Sequence, residues 1–369
     1  MSDIAASDTS KQKKQGRRHG RGWWRAPVRV WAAGVAIVAG VIAPPSALAS
    51  PTTAQSQPVA YVSNVVGGSS NQDQVLMVDA GADKPIAAAY PVGSDSDPNG
   101  VAVSRDGTRV CTADRLANSM SRILPASGDV ASVKVGNNPV DVAISPDGNR
   151  AYVTNNLDNN MSVVDIGSDS PSVVETIHVG GRPQSVAISP DGSRAYVANW
   201  LDGTLAVVDT TSNTLVTAID LQQGPYMPQG VAISPDGKLV YVTNLNGTLS
   251  VIDTANNSVK FTPTIAGGAD LVDIAVSRDG TRAYIANFAW GDITTVDLTR
   301  SPPSVITSVE VGSEPTGVAV TPDGSHVYAV SGGLNQPSTL SVIDTSTSKV
   351  EPIHGFATAL DVAIGPKPG

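Results

Sequence analysis

One short stretch recurs through this chain: SPDGNRAYVTN at residues 145–155, SPDGSRAYVAN at 189–199 and SPDGKLVYVTN at 234–244. Its opening, Ser or Thr, then Pro or Arg, then Asp-Gly, begins at Ser104, Ser145, Ser189, Ser234, Ser277 and Thr321, at spacings of 41 to 45 residues. Such a period constrains the fold more than any composition value, because one unit of this size cannot bury its own apolar faces and has to stack on its neighbours. Three further stretches keep step with it: VAIS before the turn, YVTN after it, and SVVD or SVID beyond, followed by a closing segment such as ETIHVG.

Each stretch is four to six residues of Val, Ile and Tyr bounded by Gly, Asp, Asn or Pro, which reads as a strand. One period is therefore four strands. The Asp-Gly pair suits a tight connection, since glycine adopts positive φ at little cost and Asp bonds nearby amides. Twelve carboxylates, six in these turns and six closing the third strand (Asp165, Asp209, Asp253 and Asp344 among them), read as structural. YVTN-like segments start at Tyr61, Cys111, Tyr152, Tyr196, Tyr241, Tyr284 and Tyr328, and seven VAIS-like segments end with DVAIG from Asp361. The two series are offset: Tyr61 has no VAIS segment ahead of it, and Asp361 has no YVTN segment after it. A ring reconciles them, with the C-terminal strand completing the first blade. The expectation is an all-β, seven-bladed β-propeller of four-stranded antiparallel blades over residues 59–369, closure leaving only short sheet edges.

AYVTN with VAISPDG and SVVDT resembles the YVTN-repeat family of β-propellers, found in bacterial exported proteins and archaeal surface-layer proteins. The resemblance covers nearly everything from residue 59 onward and implies a seven-bladed propeller, but it marks architecture and not activity. WD-type propellers share the period, yet the WD dipeptide is absent; a linear solenoid is the other repeat option, which the offset disfavours.

The first 49 residues differ in kind. Lys11, Lys13, Lys14, Arg17, Arg18, Arg21, Arg25 and Arg29 precede an apolar stretch of about 14 residues, and ALAS offers small residues for cleavage after Ala49. This reads as a signal peptide (1–49) with a short linker (50–58). The apolar run is short for a membrane anchor, which needs about 20 helical residues. Arg17 and Arg18 leave both the general secretory and the twin-arginine route open, and no cysteine follows for lipid attachment. The expected location is extracytoplasmic, secreted or at the cell envelope, with no membrane span after cleavage. Without the leader, 16 basic and 31 acidic residues remain, a formal charge of −15. So acidic a chain argues against nucleic acid as a partner. Cys111 is the only cysteine, which excludes an intrachain disulfide and a thiolate metal cluster. No cofactor is implied, and the chain is read as a monomer.

Internal repeats supply a control: a residue shared by all blades holds the blade, and one peculiar to a few can serve a site. By this test His178 and His354 fall on the outer rim, His326 beside an Asp-Gly turn, and Cys111 in the repeated tyrosine position. No Ser-His-Asp arrangement, haem-attachment pair, phosphate loop or zinc spacing occurs. The repeats disagree on one face, in the loop entering the first strand and the loop after YVTN. Those loops hold Trp200, Tyr226, Phe288 and Trp290, with Arg182, Asp270 and Glu314 at the entry positions, and these seven are the candidate ligand-binding residues. Asp141, Asp273 and Asp361 alternate with Gly or Ser around the channel mouth and are the weaker candidates for holding a cation. Three functions fit: a binding or scaffold protein whose variable face takes a protein, a glycan or a small molecule; a lactonase-like hydrolase or lyase with a charged channel mouth; or a purely structural envelope component. The binding reading leads, because a rigid face with variable loops needs no further chemistry.

Overall fold

The computed structural model describes residues 58–66, 72–79, 86–221, 228–267, 270–332 and 337–368. The expected leader, all of the linker except Pro58, and Tyr226 lie outside them. Among the described residues every element is a strand, and the strands form seven four-stranded antiparallel sheets. No helix there is long and apolar enough to cross a membrane.

The first blade takes its inner strand, Thr358–Pro366, from the C-terminal end of the chain and its other three from Pro58–Val65, Asp73–Val78 and Ile86–Gly93. The C-terminal strand runs antiparallel to Pro58–Val65, with Tyr61 opposite Ala363 and Val62 opposite Val362. Six further blades follow with inner strands Pro98–Val103, Pro139–Ile144, Pro183–Ile188, Pro228–Ile233, Leu271–Val276 and Gly317–Val320. Each inner strand packs on the next. Thr358–Pro366 touches both Pro98–Val103 and Gly317–Val320, so the ring is closed.

Closure follows from the period of two in the strands, which buries side chains on both faces of each blade. In Arg150–Asn155, Ala151 and Val153 join the core against the second blade, while Tyr152 joins the core against the fourth. A separate apolar cluster fills each of the seven seams between consecutive blades. Cys111, in the tyrosine position of the second blade, is fully buried among Ala113, Met120 and Val142.

The repeated turn works as its residues suggest. The Ser145 hydroxyl donates to Asp147 Oδ1 at 2.5 Å and accepts from the Arg150 backbone N–H at 2.9 Å, while Gly148 takes φ +74°. The same pattern fixes Ser189–Asp191 and Ser234–Asp236. The aspartates that end the third strands accept backbone N–H groups of the following turn, as Asp209 does from Thr211 and Ser212.

Candidate functional site

The site is built from two adjacent positions of the inner strands. One position, just before the buried Val or Ile, reads Gly100, Asp141, Ser185, Gly230, Asp273, Gly317 and Asp361 around the ring. The alternation has a packing cause. Asp141 accepts its neighbour Val142 N–H at 2.7 Å on one oxygen and Val186 N–H of the next blade at 2.9 Å on the other. Asp273 does the same with Ile274 and Val318, both at 2.8 Å, and Asp361 with Val362 at 2.8 Å and Val101 at 2.9 Å. Each aspartate thus latches one blade to the following one. The preceding blade must leave room: a Cβ at Gly100, Gly230 or Gly317 would lie 2.8, 2.9 or 2.8 Å from the Cα of Asp141, Asp273 or Asp361.

Each of these aspartates keeps part of its surface in the channel, while its carboxyl group is ringed by protein. Burial pushes all three carboxyl groups up, Asp273 to about 6, against the downward pull of the backbone donors. At Asp361 the charges of Asp273 and Asp141 add to burial and raise it well above the usual range. Among the described residues no group of three or more His, Cys, Asp or Glu is placed to hold a metal ion. The oxygens of these weak cation candidates are instead committed to backbone N–H groups.

The second position, one residue earlier, supplies the rim: Asn99, Gln184, Gln229 and Thr316 are polar, Val140, Val272 and Leu360 apolar. Together with Phe288 the residues of the two tiers, Gly317 excepted, line an open cavity of about 270 Å³. The Thr316 hydroxyl donates to the Leu360 carbonyl at 2.7 Å. The side-chain amides of Asn99, Gln184 and Gln229 have no protein partner among the described residues and are half-buried around the opening.

Of the residues singled out in the sequence, Phe288 therefore reaches the mouth, held there by its N–H bond to the Asp270 carbonyl at 2.9 Å. Arg182 and Trp200 come together elsewhere in the same loop layer: the guanidinium carbon stands 5.4 Å from the indole centre, and the Trp200 N–H donates to the Arg182 carbonyl at 3.0 Å. Trp290 is exposed and separate. Glu314 is exposed, with φ +52°, and shares positive φ with Asp97, Asn138 and Arg182 at the same place in other blades. That recurrence marks a feature of the blade entry, since strain confined to a site would not repeat. The mouth lining does not include Arg182, Asp270 or Glu314. Histidine and cysteine stay outside the site as well. His178 and His354 are exposed at the outer rim, and His326 Nδ1 shares a 2.8 Å hydrogen bond with the Ser325 hydroxyl. Burial pushes the Cys111 thiol up to about 12.

Sequence reasoning placed the aspartate ring at the mouth and missed Gln184, Gln229 and Asn99. Their only signal was a polar residue directly after the entry proline, a feature they share with Thr316.

The family model described as "Lactonase, 7-bladed beta-propeller" matches residues 121–218, a stretch that includes Asp141, Gln184 and Ser185 of the mouth. No curated protein matches the chain. Among solved structures, a functionally unknown protein from Desulfotomaculum acetoxidans DSM 771 is 16% identical, with a TM-score of 0.69 over 84% of this chain and 99% of that one. The β-propeller domain of Myceliophteria thermophila Cps50 (Swd1) is 14% identical, with a TM-score of 0.60 over 70% of this chain and 86% of that domain. These likenesses concern the fold alone.

Proposed function

We propose that this protein is an exported binding protein that takes a small, uncharged, polyhydroxylated ligand of the saccharide type at the mouth of its channel. The observation that carries the reading is the division of labour among the mouth residues. The carboxylates are committed to backbone N–H groups, whereas the amides of Asn99, Gln184 and Gln229, which have no protein partner among the described residues, stand beside the Phe288 ring and Val140, Val272 and Leu360. Amides hydrogen-bond hydroxyls in both directions, and apolar patches cover the C–H faces of a sugar ring. The basic and apolar segment up to Ala49 supports export.

Titration calorimetry with a panel of monosaccharides and disaccharides tests the site. Binding by the native protein that disappears in Gln184→Ala and Gln229→Ala, with melting temperatures unchanged, is the expected result; a panel that gives no heat at all sinks the reading. N-terminal sequencing of protein recovered outside the cell tests export, with Ser50 expected as the first residue and a retained Met1 counting against it.

A second reading, a lactonase-like hydrolase, draws on the family match and on the raised carboxyls of Asp273 and Asp361, a common mark of acid–base groups. Base uptake in a pH-stat with an aldonolactone, lost in Asp361→Asn, would favour it over simple binding.

A further inference from the structure

The large exposed apolar residues among the described ones fall into two places. Val173, Val174, Leu215, Val216, Val305 and Ile306 sit on outer strands where a bulge turns consecutive side chains outward. There the bulged Val216 and Ile306 line grooves between blades and have a packing role. The others, Leu116, Leu157, Leu201 and Trp290, are 65%, 57%, 63% and 55% exposed, all in loops that follow the YVTN strand. The three leucines hold one equivalent position in the second, third and fourth blades, which are consecutive in the ring, so they follow one another along an arc of that face.

Nothing in the blade requires these side chains, yet their backbone is fixed. Leu116 N–H donates to the Ser96 carbonyl at 3.1 Å, Leu157 N–H to Asn137 at 3.3 Å and Leu201 N–H to Gly181 at 3.0 Å. The arc is therefore preorganised, and a partner would lose little entropy in ordering it. Two of the leucines are followed directly by a carboxylate. Asp158 accepts from the Asn137 backbone and side chain at 2.8 Å each, and Asp202 accepts from Gly181 N–H at 2.6 Å; neither meets a cationic side chain among the described residues. The cations near the arc are already held: Arg115 pairs with Asp97 at 2.6 Å, Lys134 donates to the Ala117 carbonyl at 2.6 Å, and Arg182 lies over Trp200.

We propose that this arc docks a segment of a partner protein in which apolar residues alternate with lysine or arginine. The leucines accept the apolar side chains, and Asp158 and Asp202 accept the cations beside them. Charge complementarity selects the partner: a chain of net charge −15 beyond its leader steers a basic segment toward it and repels an acidic one. None of the three leucines lines the channel mouth.

The test uses a fluorescein-labelled synthetic peptide of alternating leucine and lysine, and a serine–lysine peptide of equal charge as the control, followed by anisotropy with the full chain at about 0.15 M salt. The leucine–lysine peptide is expected to bind and the control not. The triple substitution Leu116→Ser, Leu157→Ser, Leu201→Ser should weaken binding at least about tenfold, since each buried leucine side chain contributes roughly that much. Asp158→Asn with Asp202→Asn, which keeps an acceptor for the entry loops, should weaken it about threefold and flatten its salt dependence. Melting temperatures report whether each variant is folded; if the triple variant is not, Leu157→Ser alone carries the comparison. Equal binding of the two peptides, or unchanged binding by the leucine variants, overturns the proposal. So does self-association of the native protein in sedimentation that the leucine substitutions abolish, because the occupant is then a second copy of this chain.

Discussion

Asp114 stands where five other blades place Asn64, Asn155, Asn199, Asn244 and Asn287 at the end of the YVTN strand. In the third blade Asn155 donates to the Ser162 hydroxyl at 2.8 Å; in the second the equivalent Ser121 hydroxyl donates to Asp114 at 2.6 Å, with Thr112 at 2.8 Å. The site is shaped for an uncharged group, and burial pushes the Asp114 carboxyl up to about 7 despite those hydroxyls. A folded pKa above the unfolded value means the folded state holds the proton more tightly, so stability falls as pH rises from about 4 to about 7 and is level above. Asp114→Asn should therefore be about 2–4 kcal/mol more stable than the native chain at pH 8 and close to it at pH 4, measured by chemical denaturation. A native-like pH slope in the variant would assign that slope to other groups. The two tryptophans differ in the same residue-level way. Trp200 stacks on Arg182, so Trp200→Ala should lower stability by about 1–2 kcal/mol, while the exposed Trp290→Ala should stay within about 0.5 kcal/mol.

The inner strand is the element on which the ring depends, and its glycines set a sharp test. Gly317→Ala places a Cβ 2.8 Å from the Asp361 backbone and 2.7 Å from its carboxylate, so the seam between the seventh and first blades has to open. Thermal denaturation should show a loss of about 1–3 kcal/mol, the usual cost of overpacking. Ser185→Ala, in the same register, should cost less, since it adds no atom to the seam and removes only a hydroxyl that accepts the Val231 N–H at 3.3 Å and hydrogen-bonds Asp141. Removing residues 360–369 should be far more damaging: it takes away most of the strand that pairs with Pro58–Val65, the Asp361 latch to Val101, and Val362 from the core. Soluble, cooperatively melting protein after that deletion would argue against closure by this strand. The strands, the Asp-Gly turns and the closing offset were legible because each rests on local chemistry repeated many times. The aspartate ring was legible as a pattern. Its cause was not, since the contact between Gly100 and Asp141 crosses a seam between blades. The rim amides of Gln184 and Gln229 were hidden because polar residues after a proline signal only a loop, and Phe288 could not be told from Trp290 because side-chain direction in a loop has no period.

At the scale of the whole molecule the aspartates divide into two populations with opposite pH behaviour. In the Asp-Gly turns, Ser234 and backbone donors hold Asp236 down to about 2, and Thr321 and backbone donors do the same for Asp323; Asp147, Asp191 and Asp279 shift the same way through their hydroxyl and amide donors. Their folded pKa lies below the unfolded one, so the stability they contribute is present above about pH 4 and is lost as pH falls through the folded values. Asp114, Asp141, Asp273 and Asp361 are raised by burial, and what they contribute is lost as pH rises from about 4 toward 7. Stability should therefore peak at mildly acidic pH, near about 5, falling steeply below about 3 and more gently toward 8. The net charge of −15 over residues 50–369 adds self-repulsion that grows over the same alkaline side as carboxyl groups ionise. Salt at about 0.5 M screens that repulsion between exposed charges and leaves the buried latches almost untouched. Melting temperatures measured at pH 5 and pH 8, with and without the added salt, separate the two causes. Salt should raise the melting temperature more at pH 8 than at pH 5, yet the optimum should remain on the acidic side, because desolvation of the ring and of Asp114 is not screened. A salt-treated protein whose optimum moved to pH 8 would place the whole alkaline slope in surface repulsion and leave the buried carboxylates without a thermodynamic role.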